Sequence, residues 1–153
     1  MVMANGKRAP ITPLRPKVDK IIASISYLIR TGEKQRMQIT QYDIFKSLFL
    51  ADKAHLNRYG RPITFDNYFA MKDGPVPNLA YNLLKRDNYS LRRLRIKEVP
   101  WTSTLAPKIS ENAKFFSSKE GQDNPEDHLS DSDMEELRNA LAKVKRLGFK
   151  QVR

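Results

Sequence analysis

The side chains able to do chemistry in this 153-residue chain are few. It has no cysteine, which removes thiolate nucleophiles, thiolate zinc sites and disulfides. Only His55 and His128 can offer an imidazole. His55 lies in a helical stretch with Asp52 three residues before it and Tyr59 four after, so the three share a helix face. A carboxylate beside a histidine is the arrangement of an oriented general base. The competing reading is a partly buried histidine that hydrogen-bonds locally and packs its helix against the next segment. No nucleophile or oxyanion donor can be identified, so the packing reading is preferred. The expectation is a protein that is not an enzyme, with no catalytic residues, no cofactor and no metal.

Three other groupings carry a functional and a structural reading side by side. Gly74-Pro75-Val76-Pro77 precedes a helix, but one glycine and two prolines make a poor phosphate cradle, because proline lacks the N–H donors needed. It reads as a rigid turn instead. Asp131, Asp133, Glu135 and Glu136 open a helix, where the macrodipole and capping already explain them. The basic run Leu91 to Lys97, with Lys85 and Arg86 upstream, is the best nucleic-acid candidate. As a strand it would line Arg93, Arg95 and Lys97 along one face for phosphates. Its alternative is an edge strand guarded by charge. The run has no interleaved aromatics and there is no compact helix-turn-helix, so nucleic acid is possible as a partner but not favoured.

Charge raises the same question globally. Lys and Arg total 28 against 17 Asp and Glu, a net +11. Residues 1–117 carry net +12, residues 118–136 net −7, and the last 17 residues net +6. A basic body with an acidic loop, 118–131, suits nucleic acid or an acidic protein partner equally. Apolar residues make up 40%, enough for a core. No apolar run approaches the roughly 20 residues that span a bilayer, so no membrane partner is expected and the location reads as cytoplasmic.

The positioning elements follow from periodicity. Residues 1–16 hold three prolines and a glycine and read as a flexible arm. Val18, Ile21, Ile22, Ile25, Leu28 and Ile29 mark a first helix, with Gly32 as its left-handed cap. Thr40 with Asp43 caps a second, whose broad apolar face (Ile44, Phe45, Leu48, Phe49, Ala51, Leu56) places it centrally, and Gly60 and Pro62 end it. Ile63 to Met71 reads as a strand or hairpin, and Pro77 opens a third helix burying Ala80, Leu83 and Leu84. Leu91 to Val99 reads as an edge strand. Ser132 to Glu135 forms a capping box for a last helix with Met134, Leu137, Leu141, Val144 and Leu147 inside and Gly148 at its end. The fold class is α+β: a single, mainly helical domain with a small β element, a short hairpin or small sheet.

Residues 42–85, YDIFKSLFLADKAHLNRYGRPITFDNYFAMKDGPVPNLAYNLLK, resemble the Panacea domain, also called the SocA-like antitoxin domain. The shared motif runs through Lys46, Leu48, Phe49, Ala51, Asp52, Leu56, Tyr59 and Gly60, with His55 inside it. It continues through Pro62, Ile63, Thr64, Asp66, Tyr68, Ala70, Gly74, Pro75 and Val76. The resemblance implies a Panacea-like domain over 17–153. It implies the antitoxin of a bacterial or prophage toxin–antitoxin pair, neutralising its cognate toxin by direct contact. The alternatives it implies are a proteolytic adaptor delivering the toxin to an ATP-dependent protease, or a nucleic-acid-binding regulator of its own operon. Phe65 stands where the family often has glycine, and Ser47 where it often has leucine. Many relatives continue beyond Leu147 into a further helix, which implies a shortened member or part of a longer protein. Candidate toxin contacts are Phe65, Phe69, Trp101, Arg92, Arg93 and Arg95, while Tyr68 is read as core.

Overall fold

Apolar spacing at three and four residues along the first helix is realised as α1, Val18–Lys34, with Ile21, Ile25, Leu28 and Ile29 fully buried. The computed structural model describes residues 15–147. Most of the expected arm, 1–14, and the stop at Gly148 lie outside the described residues. α1 ends later than Gly32. Arg36 takes the left-handed conformation (φ 57°), and the Met37 N–H donates to the Gly32 carbonyl at 2.8 Å. Gly32 remains helical, and its smallness serves a different purpose. A Cβ there would stand 2.4 Å from Ile39 Cγ1, so glycine lets β1, Ile39–Thr40, close onto the helix.

α2, Gln41–Tyr59, starts on the expected capping box. Thr40 Oγ1 accepts from the Asp43 N–H at 3.2 Å, and Asp43 accepts from the Thr40 N–H at 2.9 Å. It stops at Gly60 (φ 82°). β2, Tyr68–Met71, pairs antiparallel with β3, Gly74–Pro77, through a two-residue turn. The glycine-proline stretch is therefore a strand and not the turn expected, which its lone pairing partner allows because proline's missing donors can face an open edge. α3, Asn78–Lys85, buries Leu79, Ala80, Leu83 and Leu84.

Leu91 to Val99 is not a strand. α4, Asn88–Arg93, forms because Asp87 accepts from both the N–H and the hydroxyl of Ser90, at 3.0 and 2.8 Å. Arg95 then turns left-handed (φ 59°) and the Ile96 N–H returns to the Leu91 carbonyl at 2.8 Å. The spacing of Leu91 and Leu94 was thus helical. The strand falls later, at β4, Trp101–Leu105, which pairs with β5, Lys114–Ser118, in the antiparallel order β1-β5-β4.

Between β5 and the last helix, the acidic stretch contains a 3-10 turn, Pro125–His128, against α1, with Pro125 and Leu129 buried. α5, Asp131–Leu147, packs chiefly on α2. Its capping box lies two residues before the one expected: Ser130 Oγ accepts from the Asp133 N–H at 3.0 Å, and Asp133 accepts from the Ser130 N–H at 2.9 Å. Ser132 cannot serve, because its hydroxyl is committed to His55. The result is the expected α+β class, five helices with a three-stranded sheet and a separate hairpin among the described residues.

Gly32→Ala is expected to lower stability by about 1–2 kcal/mol, overpacking against buried Ile39 outweighing the gain in helix propensity. Urea denaturation of the two proteins measures it.

Candidate functional site

The chemistry-bearing residues converge on the segment after α2. Asp52, 1% exposed, points into that segment. Its Oδ1 accepts from the Ile63 N–H at 2.7 Å and the Thr64 N–H at 3.0 Å, and its Oδ2 from Thr64 Oγ1 and Tyr68 OH, both at 2.6 Å. A buried carboxylate is tolerated when its lone pairs are filled in this way. The second carboxylate, Asp66, accepts from the N–H groups of Asn67 (2.8 Å), Leu79 (3.0 Å) and Ala80 (2.9 Å). The last two are first-turn donors of α3, so Asp66 caps that helix from a distance where the N-cap residue, Pro77, makes no side-chain cap. Thr64 Oγ1 receives the Asp66 backbone N–H at 3.1 Å and so links the Asp52 carboxylate to the Asp66 main chain.

Burial pushes the Asp66 carboxyl up, the three N–H donors pull it back, and nearby Asp52 raises it further; the balance is upward. Tyr68 is pushed well above the ordinary phenol range by burial and by Asp52. Lys46, also buried, donates from α2 to the Asp73 carbonyl at the hairpin turn.

His55 does not face Asp52. Its Nδ1 lies 2.7 Å from the Arg61 carbonyl, which only accepts, so Nδ1 carries the proton. Its Nε2 meets Ser132 Oγ at 2.8 Å and Asp133 Oδ1 at 3.2 Å. Tyr59 lies beside the imidazole, ring centroids 4.6 Å apart. Asp133 also takes the Lys20 ammonium at 2.7 Å and Arg61 at 3.2 Å. Burial pushes the Asp133 carboxyl up, but Lys20, the Ser130 N–H and Arg61 outweigh it and hold it below the usual carboxylate range. The oriented-base arrangement read from Asp52 and His55 is therefore absent. What the histidine does is tie α2 to α5.

The remaining candidates scatter. Phe65 is half-buried at φ 57°, the left-handed region that favours glycine, with Lys17 Nζ 4.5 Å from its ring centroid. Phe69 is 37% exposed and lies edge-on to Tyr81. Trp101 is 1% exposed and belongs to the core, so it is withdrawn as a surface contact. Arg92, Arg93 and Arg95 are exposed on α4 and the turn after it, not along a strand, and their side chains make no hydrogen bond or ion pair among the described residues. Two features escaped sequence reasoning. Tyr89, 73% exposed, stands on α4 beside these arginines. A groove of about 510 Å³ lies between the hairpin, α3 and the β4–β5 pair. Neither could be found without knowing that 88–93 is helical and where the sheet begins.

Among the described residues, no group of three or more His, Cys, Asp or Glu could hold a metal ion. None of their helices is long and apolar enough to cross a membrane. The fold is an α+β domain in which Asp52 and Asp66 clamp the segment after α2 and the start of α3. Residues 44–153 match the family described as the SocA-like antitoxin, Panacea domain, and the chain belongs to that family. No curated protein and no solved structure matches the chain. Membership in a family of antitoxins points to a non-enzymatic role.

Asp52→Asn is expected to destabilise by about 2–4 kcal/mol, since the amide loses the charge that strengthens all four bonds and its NH2 displaces the donated bonds of the Thr64 and Tyr68 hydroxyls. Tyr68→Phe is expected to cost about 1.5–3 kcal/mol, the worth of a hydrogen bond to a charged group. Both are read from urea midpoints.

A pH dependence follows from Asp133. Its folded value lies below the ordinary 3.8, so its contribution is present above that pH and is lost as pH falls through the folded value. Asp66 runs the other way: its contribution is complete below 3.8 and declines as pH rises through its raised value. Asp133→Asn is expected to flatten the acid limb of the stability profile below pH 3.8, measured by urea midpoints across pH.

Proposed function

We propose that the protein is an antitoxin that neutralises a cognate toxin by direct protein–protein contact in the bacterial cytoplasm, with residues 17–153 as the functional unit. The family match over residues 44–153 carries this reading. The surface supports it in two places. Phe65 holds a left-handed backbone that costs a bulky residue about 1–2 kcal/mol, so an aromatic kept there suits a contact made with its ring. The second is α4 and the turn after it, bearing Arg92, Arg93 and Arg95, whose guanidinium groups, unpaired among the described residues, suit carboxylates on a partner. Phe69 adds an exposed aromatic between them in sequence. The net charge of +11 would then steer association with an acidic toxin surface.

The test is co-expression with the toxin encoded by the neighbouring gene. The expected result is restored growth and co-purification of the two proteins. Restored growth with no complex, and with toxin lost in a protease-dependent way, would favour the adaptor mechanism instead. Phe65→Gly is expected to leave stability within about 1 kcal/mol of wild type, relief of strain offsetting lost packing, while weakening the complex at least about tenfold.

A further inference from the structure

β4 is the outer strand of its sheet and lacks the devices that usually protect such an edge. Its sequence, WTSTL, has no charge and no proline, and every residue after Trp101 is exposed. The phase of its pairing is fixed at both ends. The Lys119 N–H donates to the Pro100 carbonyl at 3.2 Å, and the Ala106 N–H to the Ala113 carbonyl at 2.8 Å. Even-numbered residues of β4 thus bond to β5, and Trp101, Ser103 and Leu105 turn their backbone groups to the open side. Arg86 fills the outward Trp101 carbonyl at 3.0 Å. The backbone groups of Ser103 and Leu105 have no partner among the described residues. Leu105, 70% exposed, also lines the groove of about 510 Å³, together with Met71, Val76, Tyr81 and Phe116. Lys46, Lys72, Lys85 and Lys114 line that groove against two carboxylates, Asp73 and Glu111, so its lining is net basic.

We propose that β4 and this groove capture an extended acidic segment of the partner toxin, which adds as a strand beside β4 and drops an apolar side chain into the groove; this rests on the antitoxin reading. Main-chain bonds to Ser103 and Leu105 supply affinity, and the groove and its lysines supply selection. Charge decides the occupant. The chain's own segments outside the described residues, 1–14 and 148–153, carry Lys7, Arg8, Lys150 and Arg153 and no Asp or Glu, so they would add like charge beside those lysines. A second copy paired through β4 would likewise bring two net-basic grooves toward each other.

The test uses the full chain with Ser103→Pro and Leu105→Glu. Ser103 donates its N–H outward, so proline there blocks strand addition without breaking a bond to β5. Leu105 is exposed enough for Leu105→Glu to fold, and circular dichroism melting verifies both variants. Fluorescence anisotropy follows a labelled synthetic peptide of alternating valine and glutamate. Binding by wild type that falls at least about tenfold in both variants, and is absent for a valine–lysine peptide, supports the proposal. No binding of the acidic peptide, or binding unchanged in the variants, overturns it. Co-purification with the neighbouring toxin separates the two ideas. Failure of the wild type to hold the toxin sinks the antitoxin reading, whereas toxin held equally by wild type and both variants sinks the strand-addition proposal alone.

Discussion

The Asp52 carboxylate is the interaction on which the architecture turns. It is buried, no cation among the described residues is paired with it, and two backbone N–H groups and two hydroxyls saturate it. A buried charge held in this way is intolerant of change, because removing the carboxylate strands donors from residues 63, 64 and 68 together. Those donors span the loop and the first residue of β2, so the carboxylate fixes how the chain leaves α2 and enters the hairpin. The same loop carries Asp66, and through it the start of α3 is fixed as well. The motif reads as a set of functional groups and acts as a joint.

Parts of this were legible from the sequence and parts were not, for identifiable reasons. The capping box at Thr40 and the stop at Gly60 were readable because each rests on bonds within a few residues. The same rule misplaced the start of α5, since the Ser132 hydroxyl that a local box would use is taken by His55 from 77 residues away. The run from Leu91 failed because alternating apolar and basic residues fit period two and a short helix alike; Asp87 and the left-handed Arg95 decide the matter, and neither belongs to the apolar pattern. At the site, His55 bonds locally to the Arg61 carbonyl, as the preferred packing reading has it, and makes no bond to Asp52. Spacing placed them on one helix face, but Asp133, which meets His55, comes from α5. The family resemblance, in contrast, was carried by contiguous residues and needed no tertiary knowledge.

Charge is distributed by a similar division of labour. Acidic groups that sit inside, Asp52, Asp66 and Asp133, are occupied by backbone donors or internal cations, while many arginines and lysines lie outside. The excess of positive charge at the surface therefore understates itself in the formal sum, since several carboxylates are turned inward. Phe65 is the opposite case, an aromatic held where glycine is easiest, and the Lys17 ammonium beside its ring offsets part of the cost.

Capping α3 from Asp66 also sets a sequence of events in time. A helix of eight residues does not persist alone, because its nucleus costs more than its few internal bonds return. α3 therefore forms only once the loop has docked on α2. The loop, the hairpin and α3 then open and close as one cooperative unit. The Leu79 and Ala80 amides are therefore protected by a loop carboxylate and not by the helix they begin, and they exchange when the loop moves.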